Sequence, residues 1–154
     1  MTAMPVISRY VSIYRGLPAR EKNVLLASLV LLPLFWLGLR LAGLRRFQAW
    51  LDRSPVAQRT SLSQAEAAAL GLAVNRSANH VLGRANCLPR SLLLRWLLRR
   101  FGTVSDLRIG VCFDGGELLA HAWVEQDGIP INDRPEVVAR YAAFDQPIAP
   151  EMFS

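Results

Sequence analysis

A chain of 154 residues, 52% apolar and 19% charged, is long enough for one domain with a buried core and too apolar to be disordered. Its formal charge of +6 comes almost wholly from arginine, since Lys22 is the only lysine, yet the arginines are scattered and no nucleic-acid-binding signature accompanies them. No nucleic-acid partner is expected, no internal repeat appears, and two cysteines without a secretory cleavage site make a reducing cytoplasm the default location.

Residues 1–23 are mixed and predict a short arm or helix. The run Val24 to Leu39 carries no charge and is apolar on every side of a helix, so it must be covered by protein or lipid. Extended to Leu44 it is long enough to span a bilayer core of roughly 30 Å. Basic residues flank it about equally on both sides, however, and Pro33 is expected to kink its middle. Beyond it, Leu37, Leu41, Leu44, Phe47 and Leu51 are spaced along one helical face with arginines between them. Three readings stay open for residues 24–51: packing on the domain or a partner, lying on a membrane surface, and spanning a membrane.

Ser54-Pro55 marks a boundary, dividing an apolar, basic-flanked helical region at 1–54 from a domain at 55–154. Ser63 followed three residues later by Glu66 has the form of a capping box and predicts a helix from Gln64 to His80, with Gly83 beyond its end. In "ANCLPRSLLLRW" the apolar spacing after Pro89 predicts another helix, with arginines in its last turn, Gly102 past its end and Cys87 at its start. The period then changes. Leu107, Ile109, Val111 and Phe113 alternate as a strand, Asp114-Gly115-Gly116 turns, and Leu118 to Glu125 return as a second strand. Asp127-Gly128 turns again into a third strand holding Ile129, Ile131 and Asn132. Helices followed by a small antiparallel sheet define an α+β fold.

Unpaired amides at a helix start favour a thiolate over a thiol and can donate to an oxyanion formed beside it. Cys87 is therefore a candidate nucleophile in need of a base. His80 stands close in sequence and reads as a surface or capping residue, whereas His121 lies inside a strand of small and apolar residues. Pairing Glu125 with Ile129 across the Asp127-Gly128 turn sets His121 opposite Asp133, whose carboxylate would fix the imidazole tautomer. Asp145 is the substitute acid if that register fails. Trp123 shares a strand face with His121 and lines the substrate cleft or fills the core; Arg90 contacts substrate or is solvated. Cys112 reads as packing, Glu125 and Asp127 as surface and turn residues, and the spacing does not favour a Cys87–Cys112 disulfide. No metal-ligand spacing or phosphate-binding glycine loop is present, so neither metal nor cofactor is expected.

Cys87-Leu88-Pro89-Arg90-Ser91-Leu92, then His121-Ala122-Trp123-Val124-Glu125, then Asn132-Asp133 together resemble the transglutaminase-like, papain-like leader peptidases of bacterial lasso-peptide biosynthesis. The resemblance covers about residues 60–145. The apolar N-terminal region is similar to their stand-alone B2 form, and no winged-helix leader-binding domain is legible in residues 1–60. The resemblance implies a Cys87 nucleophile, a His121 general base and later acid, and an orienting Asp133. It also implies a ribosomal precursor peptide as substrate, a separate leader-binding B1 protein and a separate lasso cyclase. Two other readings remain: acyl transfer to an amine on the same triad, and a non-catalytic module that docks a partner or membrane.

Overall fold

The computed structural model describes residues 11–83 and 86–144 and consists of three long helices packed together, the third of them lying against a curled four-stranded sheet. Residues 11–16 form a helical turn that leads into α1, Ala19–Asp52. Helical dihedrals continue through Pro33 and break instead at Gly43, where φ is 75° and ψ 162°. Without a β-carbon, glycine adopts this conformation at little cost and lets the segment after it turn back on the first. Phe47 then meets Phe35 edge-on, with ring centroids 5.3 Å apart. The single face expected for Leu37 through Leu51 is therefore divided. Leu41 is 78% exposed, whereas Phe47 and Leu51 are buried.

α1 is apolar on all sides for a reason that only its packing shows. Val24, Ser28, Leu32 and Phe35 recur on one side and are buried against the neighbouring helices, while Leu26, Val30, Leu34, Leu37 and Leu41 recur on the other and are exposed. By length and composition α1 is the one helix among the described residues capable of crossing a membrane.

α2, Gln64–Val81, starts at the predicted capping box. The Glu66 N–H donates to Ser63 Oγ, and the Ser63 N–H donates to the Glu66 carboxylate. Ser77 Oγ donates to the Leu25 carbonyl and ties α2 to α1. α3, Cys87–Arg100, buries Leu92, Leu93, Leu94, Leu97 and Leu98 between the other helices and the sheet. Residues on both sides of the boundary at Ser54-Pro55 contribute to this one core.

β1, Asp106–Asp114, and β2, Glu117–Gln126, form an antiparallel hairpin across Gly115-Gly116. β2 continues into the two-residue β3, Ile129–Pro130. After the short helix α4, Val137–Arg140, strand β4, Ala142–Ala143, closes the other edge of the sheet against β1. The strand order is β3-β2-β1-β4.

The β2–β3 register corrects the sequence expectation by one residue. Gln126 pairs with Ile129 and Glu125 with Pro130. Asp127 and Gly128 both have positive φ, 53° and 78°, as a two-residue hairpin turn of mirror-image type requires, and such a turn fixes the flanking residues as the first pair. The third strand is also shorter than expected. It ends at Pro130, and residues 131–133 bend away from the sheet.

Leu32 is wholly buried in the shared core. Leu32→Ala is expected to lower stability by about 2–5 kcal/mol in one cooperative transition. Thermal unfolding followed by circular dichroism checks this; a separately melting α1 would leave the main transition unmoved.

Candidate active site

Cys87 is the first helical residue of α3, following Asn86 at the cap, and it is partly exposed. Asn86 is itself held in place, its side-chain amide donating to the Leu82 carbonyl at the end of α2. The Arg90 Nε–H, one turn into α3, donates to the Asn86 carbonyl at 3.0 Å. No acidic residue occupies the first turn of this helix. Its amide groups and dipole therefore act on the thiol without a competing carboxylate.

His121 lies on β2, opposite Gly110 of β1. Its Nε2 is 2.5 Å from Asp133 Oδ2, and a further hydrogen bond joins the ring to Cys87. With Nε2 taken by the carboxylate, Nδ1 is left for the thiol. Asp133 reaches this position from outside the ladder. Continued beyond Pro130, the observed register would set residue 133 level with Ala122, on the opposite face of the sheet from His121. The bend at 131–133 removes that obstacle.

The bend is held by Asn132. The Ile131 N–H donates to the Val124 carbonyl at 2.9 Å, as in a regular ladder. The Val124 N–H then donates to the Asn132 side-chain carbonyl at 2.8 Å, in place of a main-chain acceptor. The Asn132 side-chain amide donates to Ser91 Oγ at 3.0 Å, and that hydroxyl donates to the Ala122 carbonyl at 3.1 Å. Asn75 of α2 donates to the Asn132 carbonyl at 2.8 Å. Gly71 permits this approach, since a β-carbon there would lie 2.7 Å from the Ile131 carbonyl oxygen. Ser91 and Asn132 thus link the Cys87 helix, the His121 strand and the Asp133 bend. Ser91 falls one helical turn after Cys87 and Asn132 directly before Asp133, so spacing alone could have drawn attention to both.

The electrostatics follow from these contacts. Burial pushes the Cys87 thiol up, but the His121 hydrogen bond, the Ala122 N–H and the charges of His121 and Arg90 outweigh it and leave the pKa below the usual thiol value. Asp133 is likewise pushed up by burial, then brought below the ordinary carboxylate value by His121, by the Arg134 N–H at 2.7 Å and by Arg90. His121 is raised to about 9, chiefly by Asp133 and then by Cys87, against desolvation. Both shifts act in the same sense, favouring the thiolate of Cys87 and the imidazolium of His121 over the neutral pair.

The remaining sequence candidates are distributed around this centre. Trp123 does not line a cleft. It is fully buried, its indole N–H donates to Glu125 Oε1 at 2.8 Å, and its ring stacks near His121 with centroids 6.1 Å apart. Glu125 is correspondingly not a surface residue: it is 5% exposed and also accepts from Arg108 Nε at 3.0 Å. Arg90 sits at the site, acting on Cys87 and Asp133 through its charge. Asp127 occupies the turn, and His80 is exposed in the last turn of α2. Cys112 and Cys87 are both free thiols, and Cys112 is hydrogen-bonded with Arg140 and Tyr141. Tyr141, which no sequence pattern marked, packs its ring 5.1 Å from that of His121. Asp145 lies outside the described residues. No cluster of three metal-ligating side chains occurs among the described residues.

A cavity of about 320 Å³ opens beside Cys87, lined by Trp36, Leu39 and Arg40 of α1 and by Asn86, Cys87, Leu88 and Pro89. A larger one, about 810 Å³, lies between residues 11–17, α1 and α2, and none of the three triad residues lines it. The smaller cavity is the one adjoining the chemistry.

A cysteine at a helix start, hydrogen-bonded to a strand histidine that is fixed by a carboxylate, is the arrangement of thiol-dependent acyl transfer. The family profile of the transglutaminase-like superfamily matches residues 29–144, and the chain belongs to that superfamily. The superfamily includes cysteine peptidases and acyltransferases. No curated protein and no solved structure gives a significant match.

Protonated His121 supports the fold through its bonds to Asp133 and Cys87. Because its pKa is raised from 6.5 to about 9, that support is complete below pH 6.5 and is lost as pH rises through 9. Asp133→Asn removes the largest cause of the shift. The alkaline fall in melting temperature is expected to begin at lower pH in this variant, with the imidazole titration in NMR spectra moving the same way.

Proposed function

We propose that the protein is a cysteine peptidase that removes the leader from a ribosomally made lasso-peptide precursor. The observation that carries this reading is the contact of His121 with both Cys87 and Asp133 within a transglutaminase-like fold. The resemblance of the Cys87, His121 and Asn132-Asp133 segments to lasso leader peptidases supplies the substrate class. In the first half-reaction the Cys87 thiolate attacks the carbonyl carbon at the leader–core junction. The Cys87 N–H, a first-turn amide without an intrahelical acceptor, faces the oxyanion. Protonated His121 gives its proton to the departing core amine, and a thioester remains on Cys87. His121 then takes a proton from water, the hydroxide attacks the thioester, Cys87 leaves as the thiolate, and the leader departs as a carboxylic acid that gives its proton to the freed core amine. Asp133 holds the imidazole in the required tautomer throughout.

Leader recognition on this reading belongs to a separate B1 protein, consistent with α1 occupying residues 19–52 as a core helix. Closure of the freed core amine onto an acidic side chain belongs to a separate ATP-dependent cyclase. The cytoplasmic site of action extends to the membrane surface through residues 24–51. The exposed aliphatic side of α1, with Arg40, Arg45 and Arg46 exposed along the same element, suits the surface of an anionic bilayer. The buried opposite side, packed on α2 and α3, favours lying on the bilayer over crossing it.

Incubation with precursor and a leader-binding partner, read by intact mass, tests the activity. Loss of the leader is expected, and Cys87→Ala should slow it by at least about 10³-fold while retaining the wild-type circular dichroism spectrum. A mass gain of an added amine minus ammonia would instead mark acyl transfer, and binding with unchanged mass a docking module. Co-sedimentation with phosphatidylglycerol vesicles is expected for the wild type and strongly reduced for the double variant Leu37→Glu, Leu41→Glu. Equal recovery of both in the supernatant would exclude the membrane role.

A further inference from the structure

The N-terminal helix reaches the nucleophile. Trp36, Leu39 and Arg40 of α1 form one wall of the 320 Å³ cavity whose other wall is Asn86 to Pro89, Cys87 included. The two walls differ in character. Leu39, Leu88 and Pro89 present hydrocarbon, whereas the Arg40 guanidinium lies over the Trp36 indole, 5.4 Å from the ring centroid. Stacking of this kind orients an arginine without neutralising it. Trp36 is 39% exposed, so the stacked pair is open to solvent. Glu66, Asp52, Glu125 and Asp114 pair with Arg20, Arg95, Arg108 and Arg140 respectively, and none of these bridges involves Arg40.

Of the charges at this centre, Asp133 is engaged with His121, and both Asp133 and Cys87 lie in the field of Arg90, so that Arg40 is the cation that lines the cavity without an acidic partner of its own among the described residues. A cavity of this size has room for an aspartate or glutamate side chain. Its hydrocarbon wall suits methylene groups, and its rim is cationic.

We infer that Trp36, Leu39 and Arg40 form a substrate subsite that accepts an acidic side chain, aspartate or glutamate, close to the bond cleaved at Cys87. The carboxylate pairs with the Arg40 guanidinium, and the methylenes lie against Leu39, Leu88 and Pro89. Arg40 acts as a binding residue that touches substrate, and Trp36 positions it. This rests on the acyl-transfer reading of Cys87 and adds the substrate feature that the site selects.

Two small electrophiles separate the subsite from the reading beneath it. Iodoacetamide and iodoacetate alkylate the same sulfur but differ in charge, and the alkylated Cys87 peptide can be quantified by mass spectrometry with the Cys112 peptide as an internal comparison. The wild type is expected to favour iodoacetate over iodoacetamide at Cys87 by on the order of tenfold more than Arg40→Gln does, with Arg40→Lys retaining most of the preference. The iodoacetamide rate at Cys87, measured in each of the three proteins, is the divisor that removes any change in the thiolate itself from the comparison. A ratio unaffected by Arg40→Gln, with Cys87 still reacting well ahead of Cys112, would overturn the subsite alone. Cys87 reacting with iodoacetamide no faster than Cys112 would overturn the nucleophile assignment, and the subsite with it.

Discussion

The geometry of the site depends on one side chain that does no chemistry. Asn132 accepts from the Val124 N–H where a strand would have offered a carbonyl, and it donates to Ser91 on the nucleophile's helix. Both contacts are made by a bend with no ladder of its own to hold it. Because the Asn132 carbonyl is also satisfied, by Asn75, the network ties α2, α3 and β2 to a single residue. Displacing Asn132 would leave the Val124 N–H and the Asn75 amide without these acceptors, which makes Asn132 a fixed point for its neighbour Asp133.

Much of the fold was legible because local rules and tertiary packing agree. The capping box at Ser63 and Glu66, the helix behind Cys87, both glycine turns and the period change near Leu107 all appear where patterning put them. The register error has a definite origin. Pairing Glu125 with Ile129 sets His121 opposite Asp133 and leaves three residues in the turn. The Asp-Gly dipeptide favours a two-residue turn, and the structure follows the dipeptide. His121 and Asp133 still meet, by a route that ladder counting does not contain. That route depends on a side chain substituting for backbone, and no periodicity reports such a substitution.

Trp123 and Glu125 show a second limit. Alternation places both on the His121 face, but it cannot distinguish a cleft wall from a platform. The indole N–H and the carboxylate satisfy one another, and Arg108 satisfies the second carboxylate oxygen, so a polar pair can be buried beneath the imidazole. α1 shows a third. Its uncharged run from Val24 to Leu39 fits burial, a membrane surface and a span equally well, and only the packing of Val24, Ser28, Leu32 and Phe35 separates its two sides. The cavity at Cys87 was out of reach for a related reason: Trp36 and Arg40 are far from Cys87 in sequence, and no motif joins them.

The way charge is distributed over the helix starts explains why the thiolate is favoured at one cysteine while the other is held in a strand. α1 and α2 each place a glutamate in the first turn, Glu21 and Glu66, so that a fixed carboxylate answers the unpaired amides there. α3 has none, and the group at its start is a thiol whose negative form meets the same need. The helix alone would not suffice, because burial pushes Cys87 towards the neutral form. The balance is turned by His121, which can stay protonated beside the thiol because Asp133 holds it from the other side. Cys112, on a strand and bonded with Tyr141 and Arg140, has neither the helix start nor the imidazole. The carboxylate omitted from the first turn of α3 is thus supplied one residue beyond Asn132, where it acts on the histidine and leaves the amides to the thiolate.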